Sequence, residues 1–159
     1  MAIYSLIVNG ERTHITAEEH TPLLYTLRQL GLTGTRYGCG REQCGSCRIL
    51  VNGQLEYACT KTVSEAADAN IETIESLAEG NQLHIIQQAF LNNNAGQCGY
   101  CLTGIIMTAY HLLQQNPNPS RAEIQASLVN NLCRCGAHNR IIRAIQQAGL
   151  RMAEKRKSS

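Results

Sequence analysis

Apolar residues recur at two different spacings along the chain, and the change of spacing divides the chain into two parts. In the first part, apolar and polar residues alternate over residues 4–8, Asn9-Gly10 supplies a tight turn, and the segment RTHIT returns as a second strand. A second hairpin is predicted around Asn52-Gly53, and a short strand over residues 71–74 completes the predicted sheet.

One amphipathic helix is predicted between these two hairpins. Pro22 suits the first helical position, Thr21 is the candidate capping residue, and Gly31 ends the pattern. The apolar face is formed by leucines at positions 23, 24, 27 and 30. The first part is therefore predicted to be a small α+β unit with a helix on a mixed sheet.

From about Ser76 onward the apolar spacing becomes helical, and four helices are predicted. Ser120 and Glu123 form a capping box for the third of them, and the fourth is expected from about Asn139 to Gly149. The basic segment after Gly149 is expected to be solvated and frayed. We predict an α+β chain with a sheet domain over residues 1–75 and a compact four-helix bundle over residues 76–159.

Composition and charge narrow the function classes. A formal net charge of +2 with scattered basic residues argues against electrostatic binding of nucleic acid. No apolar run approaches the roughly 18 residues of a membrane span, and the first residues lack the features of a signal peptide, so we expect a cytoplasmic chain without membrane insertion. Eight cysteines in such a chain are first interpreted as metal ligands, since reducing compartments do not favour structural disulfides.

The first four cysteines follow the spacing Cys39-x4-Cys44-x2-Cys47, with Cys59 eleven residues further on. This spacing is typical of a plant-type [2Fe-2S] ferredoxin. Zinc is the alternative, but structural zinc sites usually use two C-x2-C pairs, which the x4 gap does not match.

The composition of this loop suits an anionic cluster. Its glycines permit backbone N–H groups to point at the sulfurs, because glycine tolerates positive φ. Its arginines either add positive charge near the cluster or belong to an ordinary solvated surface. The residues concerned are Gly38, Gly40, Gly45, Arg36, Arg41 and Arg48.

The other four cysteines form the pairs Cys98-x2-Cys101 and Cys133-x-Cys135. Each pair precedes or begins a predicted helix, where free N–H groups and partial positive charge favour thiolates. Spacing alone leaves this group open between zinc and a [2Fe-2S] cluster. The five histidines are not placed beside cysteines as a Rieske centre would require.

The segments TGTRYGCGREQCGSCRILVNG, GQCGYCLTGIIMTA and NNLCRCGAHNRIIRAI, in this order, closely resemble the iron-sulfur subunit of the molybdenum hydroxylases, the xanthine oxidase and aldehyde oxidoreductase family. The resemblance implies two [2Fe-2S] clusters, one on a ferredoxin-like β-grasp domain and one in the helical bundle. It also implies a separate large subunit that carries the molybdenum-pterin cofactor, nearest the helical cluster. The implied ligands are Cys39, Cys44, Cys47 and Cys59 for the first cluster, and Cys98, Cys101, Cys133 and Cys135 for the second.

The same resemblance implies contacts with the pterin. Gln97 would bind it through the side-chain amide, and Cys135 would ligate iron and also approach the pterin amino group. The alternative role of Gln97 is an ordinary loop hydrogen bond ahead of a helix. Arg41 and Arg48 depart from the family pattern, in which we expect a small residue and a threonine, and they leave cluster potential and partner surface undetermined.

We therefore predict an electron-transfer subunit that receives electrons from a molybdenum-pterin centre and passes them through two clusters to a cytochrome, a flavin subunit or another acceptor. The substrate, an N-heterocycle or an aldehyde, would react in the partner, and no catalytic residue is predicted in this chain. Two alternatives remain, a zinc-stabilised scaffold module and a self-standing ferredoxin.

Overall fold

The computed structural model describes residues 1–158, which form a five-stranded mixed sheet and five α-helices. The strand order is β2-β1-β5-β3-β4. β5 lies in the centre, parallel to β1 and antiparallel to β3, so that it joins the two hairpins into one sheet. The strands are β1 Ala2–Val8, β2 Glu11–Ala17, β3 Arg48–Val51, β4 Gln54–Tyr57 and β5 Asn70–Glu72.

Both predicted Asn-Gly hairpins are confirmed. Asn9 and Gly10 have φ of 52° and 86°, and Asn52 and Gly53 have φ of 50° and 75°. Positive φ at both central residues is the type I′ geometry, whose twist matches that of the flanking strands. The local dipeptide therefore determines where each hairpin reverses.

The first helix, α1 Leu23–Gln29, lies where the apolar pattern predicts it. The predicted cap at Thr21 is wrong, because Pro22 occupies the capping position and no side chain caps the helix. The Thr21 backbone instead belongs to a turn: its N–H donates to the Glu18 carbonyl and its own carbonyl accepts from the Val63 N–H.

Four further helices follow a short 3-10 turn at Ile74–Leu77: α2 Ile85–Asn92, α3 Leu102–Gln115, α4 Arg121–Ser127 and α5 His138–Ser158. The predicted capping box of Ser120 and Glu123 is confirmed at the start of α4. A second capping box, between His84 and Gln87, begins α2 and was not expected from the sequence. No helix within residues 1–158 has the length and apolar character needed to cross a membrane.

The predicted end of the last helix at Gly149 is wrong. α5 continues to Ser158, with Met152 buried, so the basic segment expected to be frayed is helical. Gly149 lies on the buried side of the helix, where an added Cβ would stand 2.4 Å from the carbonyl oxygen of Pro117. The glycine is therefore needed for close packing of the helix against residue 117 and does not terminate it.

Two apolar cores lie on opposite sides of the β3–β4 hairpin. Ile49 and Val51 point into the core beneath α1, whereas Leu50 points into the core of the helices, as strand alternation requires. Leu55 on β4 also packs against the helical core, and α3 lies directly on β3. The hairpin is therefore shared between the sheet and the helices.

Candidate iron-sulfur sites

The first group of cysteines lies in the loop between α1 and β3, with its fourth member just after β4. The side chains of Cys39 and Cys44 interact with each other, as do those of Cys47 and Cys59. Cys39 and Cys44 are half-buried, whereas Cys47 and Cys59 are buried beside the first core. The structure thus brings all four predicted residues together as two close pairs.

Backbone amides of the loop point at the sulfur atoms. The N–H of Arg41 and the N–H of Gln43 both donate to Cys39 Sγ, at 3.4 and 3.2 Å, and the N–H of Cys39 donates to Cys44 Sγ at 3.4 Å. Burial raises the pKa of the Cys39 thiol, but these amide hydrogen bonds outweigh it and lower the pKa to about 7. Such donors stabilise negative charge on sulfur, so the loop suits an anionic centre.

Gly38 lies in the same loop, close to the Cys44 side chain. A Cβ added at this position would stand only 2.5 Å from Cys44 Sγ, so no larger residue fits without displacing that sulfur. The glycine expected to let the loop wrap tightly is therefore required by close approach to sulfur.

The second group lies where two helices begin. Cys101 occupies the capping position of α3, and Cys98 precedes it by three residues. Cys133 and Cys135 lie in the loop before α5. The side chain of Cys98 interacts with that of Cys135, and the side chain of Cys101 with that of Cys133, so this group also consists of two close pairs.

The two groups share an electrostatic pattern in which one thiol is solvated and another is buried. Burial, together with the neighbouring thiols Cys59 and Cys133, raises the pKa of Cys47 and of Cys101 to about 12 each. The pKa of Cys98 is lowered, chiefly by a hydrogen bond from the Tyr100 N–H and also by Cys135. Each site therefore has a buried wall and a solvent-facing edge.

The sulfur atoms of both groups are arranged in pairs. Within residues 1–158, no group of three or more Cys, His, Asp or Glu side chains is placed to hold one metal ion. A [2Fe-2S] cluster has four cysteine ligands and two irons, so it takes two thiolates at each iron. The paired sulfurs and the amides directed at them fit this group, and all eight thiols are free of disulfides.

Gln97 lies at the exposed edge of the second site. Its side-chain Nε2 donates to the backbone carbonyl of Cys135, at 3.3 Å. The two residues for which the sequence implied a pterin contact are therefore adjacent. The loop hydrogen bond considered as the alternative role of Gln97 is also present, so the two roles are compatible.

The two sites adjoin through backbone contacts. The N–H of Leu132 donates to the carbonyl of Cys44 at 2.9 Å, and Leu132 is directly followed by Cys133. Asn131 is buried, and its Nδ2 lies 3.5 Å from the Gly45 carbonyl oxygen. A hydrogen bond therefore connects Cys44 of the first group with Leu132, the chain neighbour of Cys133 in the second group.

Tyr100 makes a second connection, at the solvent-facing side. Its hydroxyl donates to the backbone carbonyl of Tyr37, in the loop that contains Cys39. The guanidinium of Arg36 lies 5.8 Å from the centre of the Tyr100 ring. Neither Tyr100 nor Leu132 was singled out from the sequence, and no local pattern could have done so, because both bind loops distant in the chain.

Comparison with known proteins agrees with these sites. A 2Fe-2S iron-sulfur cluster binding domain matches residues 6–78, and a second [2Fe-2S] binding domain matches residues 73–146. One nicotinate dehydrogenase subunit of Pseudomonas putida is 45% identical, over 91% of this chain and 92% of that protein. The nicotinate dehydrogenase small FeS subunit of Eubacterium barkeri is 39% identical, over 94% of this chain and 96% of that protein.

Solved structures give the same result. A chain of quinoline 2-oxidoreductase from Pseudomonas putida 86 has a TM-score of 0.92 and 37% identity, over 98% of this chain and 96% of its own length. Aldehyde oxidoreductase from Desulfovibrio desulfuricans has a TM-score of 0.93 and 33% identity, over 97% of this chain and 17% of its own. The chain belongs to the [2Fe-2S] electron-transfer subunits of the molybdenum hydroxylases, a family of oxidoreductases.

Proposed function

We propose that this chain holds two [2Fe-2S] clusters and passes electrons between them, from a molybdenum-pterin centre in a large subunit to a separate acceptor. The observation that carries the proposal is the arrangement of eight sulfurs as four close pairs, with the two groups adjoining at Cys44 and Leu132. The proposed ligands are Cys39, Cys44, Cys47 and Cys59 for the first cluster, and Cys98, Cys101, Cys133 and Cys135 for the second.

In this function the protein holds the two clusters, shields one side of each from water and connects them. A bound [2Fe-2S] cluster supplies a one-electron redox centre whose potential depends on net charge, hydrogen bonds to sulfur and exposure to solvent. The amides of Arg41 and Gln43 stabilise negative charge at the first site, and the start of α3 does so at the second. The buried thiols Cys47 and Cys101 place one side of each site against an apolar core.

The contact between Leu132 and Cys44 gives the two sites a short connection. It runs from the Cys44 carbonyl across one hydrogen bond to the Leu132 amide, and then along the chain to Cys133. Because both ends belong to proposed ligands, no side chain has to move for the sites to be connected. We propose this as the route between the clusters.

The surface beside Gln97 is the proposed docking site of the large subunit. An apolar hollow of about 360 Å³ opens there, and Leu91 at its edge is 60% exposed. Gln97 lines this hollow and its Nε2 donates to the Cys135 carbonyl, so we propose that both residues approach a pterin held by the partner. Burial of the hollow in the complex would exclude water from the route into the second site.

The substrate belongs to the partner subunit. Because the names of the similar proteins include nicotinate dehydrogenase and quinoline 2-oxidoreductase, we propose an N-heterocycle, with an aldehyde as the second candidate. A flavin subunit or a cytochrome is the proposed acceptor. We further propose a functional division near residue 75, a four-helix bundle made of α2 to α5, and a cytoplasmic location, the last because the chain carries eight free thiols.

Metal analysis with paired variants tests the clusters. The anaerobically purified chain should contain about four irons and about four acid-labile sulfides, and dithionite should produce two distinguishable paramagnetic signals. Cys47→Ala should lose the first signal and Cys101→Ala the second, each with about half of the iron. Zinc without visible absorption would refute the proposal in favour of the scaffold module.

Purification of the native complex tests the partner. A molybdenum-containing large subunit should copurify, and Gln97→Ala should weaken pterin retention or slow reduction of the second cluster by substrate. Asn94→Gly at the same hollow is the control, because it removes an exposed side chain at a residue with φ of 45°, where glycine is not strained. A lone chain that transfers electrons to several enzymes would favour the self-standing ferredoxin.

A further inference from the structure

Arg48 is held in one place by three contacts on the β3–β4 hairpin. Its Nη2 donates to the Tyr57 hydroxyl at 2.6 Å, and its Nη1 donates to the Leu55 carbonyl at 3.3 Å. The guanidinium carbon lies 3.4 Å from the centre of the Tyr57 ring, which stands directly opposite Arg48 in the antiparallel register. Stacking and a forked hydrogen bond together fix the direction of the positive charge.

This positive charge has no acidic partner in the part of the chain that the structure describes. No carboxylate oxygen of residues 1–158 lies within 4.0 Å of the guanidinium. The side chain is half-buried, and its Nε is buried without a hydrogen-bond partner. A partly desolvated charge without compensation is costly, so a negative charge nearby is expected to balance it.

The residues around Arg48 show which parts of the molecule its positive charge reaches. The pKa of His111 on α3 is lowered by burial and by Arg48, so the guanidinium lies within electrostatic range of α3. The N–H of Ala58, which follows Tyr57, donates to the Cys47 carbonyl at 3.1 Å, so the Tyr57 end of β4 lies beside the first cysteine site.

Arg48 is also joined directly to that site through the backbone. It follows Cys47 in the chain, and its N–H donates to the carbonyl of Gly45 at 3.2 Å. Tyr57, which holds its side chain, precedes Cys59 by two residues. Arg48 therefore adjoins the proposed ligand Cys47, and the tyrosine that holds its guanidinium is close in the chain to Cys59. Threonine is the residue that the family pattern led us to expect at position 48.

We propose that Arg48 is a positioning residue for electron transfer, whose fixed charge stabilises the reduced state of the first cluster and raises its reduction potential. This inference rests on the proposed cluster. A four-thiolate [2Fe-2S] centre is already an anion when oxidised, and gains one further negative charge with each electron accepted. A positive charge held nearby at low solvent exposure favours the more negative state.

A redox titration followed by electron paramagnetic resonance on the purified protein tests the inference. At the wild-type midpoint, Arg48→Gln should lower the reduced-to-oxidised ratio of the first cluster by about threefold to tenfold, tenfold being 59 mV for one electron. Arg48→Lys retains the charge without the fork and should restore at least half of that shift. The second cluster, with a signal of its own, is the internal control.

Arg28→Gln is the matched control, because it removes an equal charge from the exposed surface of α1. Solvent screening should keep its effect below about twofold. An unchanged potential in Arg48→Gln would overturn the inference even if the melting temperature falls, since that result would make Arg48 a purely structural link to α3. Equal shifts in both variants would also overturn it. Absence of any cluster from the wild type would instead refute the proposed function.

Discussion

Gly104 on α3 and Gly45 in the first cysteine loop meet backbone to backbone, since a Cβ added at Gly104 would stand 1.9 Å from the Gly45 carbonyl oxygen. Gly45 is also closely packed on its other side, where a Cβ added at Gly45 would stand 2.5 Å from the Asn130 carbonyl oxygen. The helical part and the first cysteine loop therefore touch at two glycines, without intervening side chains.

We expect Gly104→Ala to separate these two backbones. Overpacking of this kind typically costs about 1–3 kcal/mol, and here the atoms that must shift are backbone atoms of Gly45 and Ser46, not the end of a flexible side chain. Thermal unfolding should detect the loss of stability, and the magnetic interaction between the two reduced clusters should weaken as their distance grows. Gly149→Ala is the control, because it meets the Pro117 carbonyl at 2.4 Å, away from both sites. A weakened magnetic interaction in the control as well would contradict this account.

Gly38→Ala should prevent assembly of the first cluster. The new methyl group would occupy space 2.5 Å from Cys44 Sγ, so the sulfur must leave its place beside Cys39. We expect iron and sulfide content to fall by about half, with the second paramagnetic signal retained. Arg41→Ala in the same loop should retain full iron content, because its side chain is exposed and alanine keeps the backbone N–H that donates to Cys39 Sγ. Full iron and sulfide content in Gly38→Ala would contradict this prediction, because it would show that the loop adjusts to the added methyl group.

Leu132→Pro should slow electron transfer between the clusters. Proline has no N–H, so the hydrogen bond to the Cys44 carbonyl is lost. Leu132→Ala retains the amide and serves as the control, since the Leu132 side chain is 61% exposed. Rapid reduction of one cluster, followed by the spectrum of the other, measures the rate. Equal rates in the two variants, with both clusters intact, would mean that electrons take another route.

His84 should make stability depend on pH at the start of α2. Its Nδ1 accepts from the Ile86 N–H at 3.3 Å, which only a neutral ring can do. Burial lowers the pKa of His84, and Lys155 lowers it further, while Glu79 opposes them. Arg156 lines a second surface hollow, which also contains His84, Lys155 and Glu79. Because the folded pKa lies below the unfolded value of about 6.5, this stability is complete above that value and is lost as pH falls toward the folded pKa.

His84→Asn keeps a capping acceptor but does not titrate in this range. Between about pH 7.5 and about pH 5.5, the urea midpoint of the wild type should therefore fall relative to that of the variant. Midpoints that change in parallel would show that the protonation of His84 does not affect the stability of the helix.

The sequence predicts the parts of this fold that local chemistry encodes. Short segments of the sequence contain the Asn-Gly turn of each hairpin, the capping box of Ser120 and Glu123 at α4, and the members of each cysteine group. The ligand roles themselves remain predictions. Gly149 was misinterpreted because a glycine that ends a helix and a glycine that permits close packing look the same in a sequence.

Contacts between distant segments could not be predicted in this way. The bond from Tyr100 to Tyr37 and the contact of Gly104 with Gly45 depend on how α3 settles on the β3–β4 hairpin. Likewise, Arg48 and Arg41 are indistinguishable as loop arginines until the structure places Tyr57 beneath only one of them. Packing thus distinguishes residues that have the same local signal.

The Gly104–Gly45 contact has a consequence for how such enzymes diversify. If the proposed clusters are bound, the distance between them is set within one polypeptide, by main-chain atoms that admit no intervening methyl group. A different large subunit or acceptor would then alter the first and last electron transfers of the proposed function, while the internal transfer would stay constant. Enzymes with this subunit can therefore acquire new substrates and new electron acceptors while the subunit itself stays unchanged.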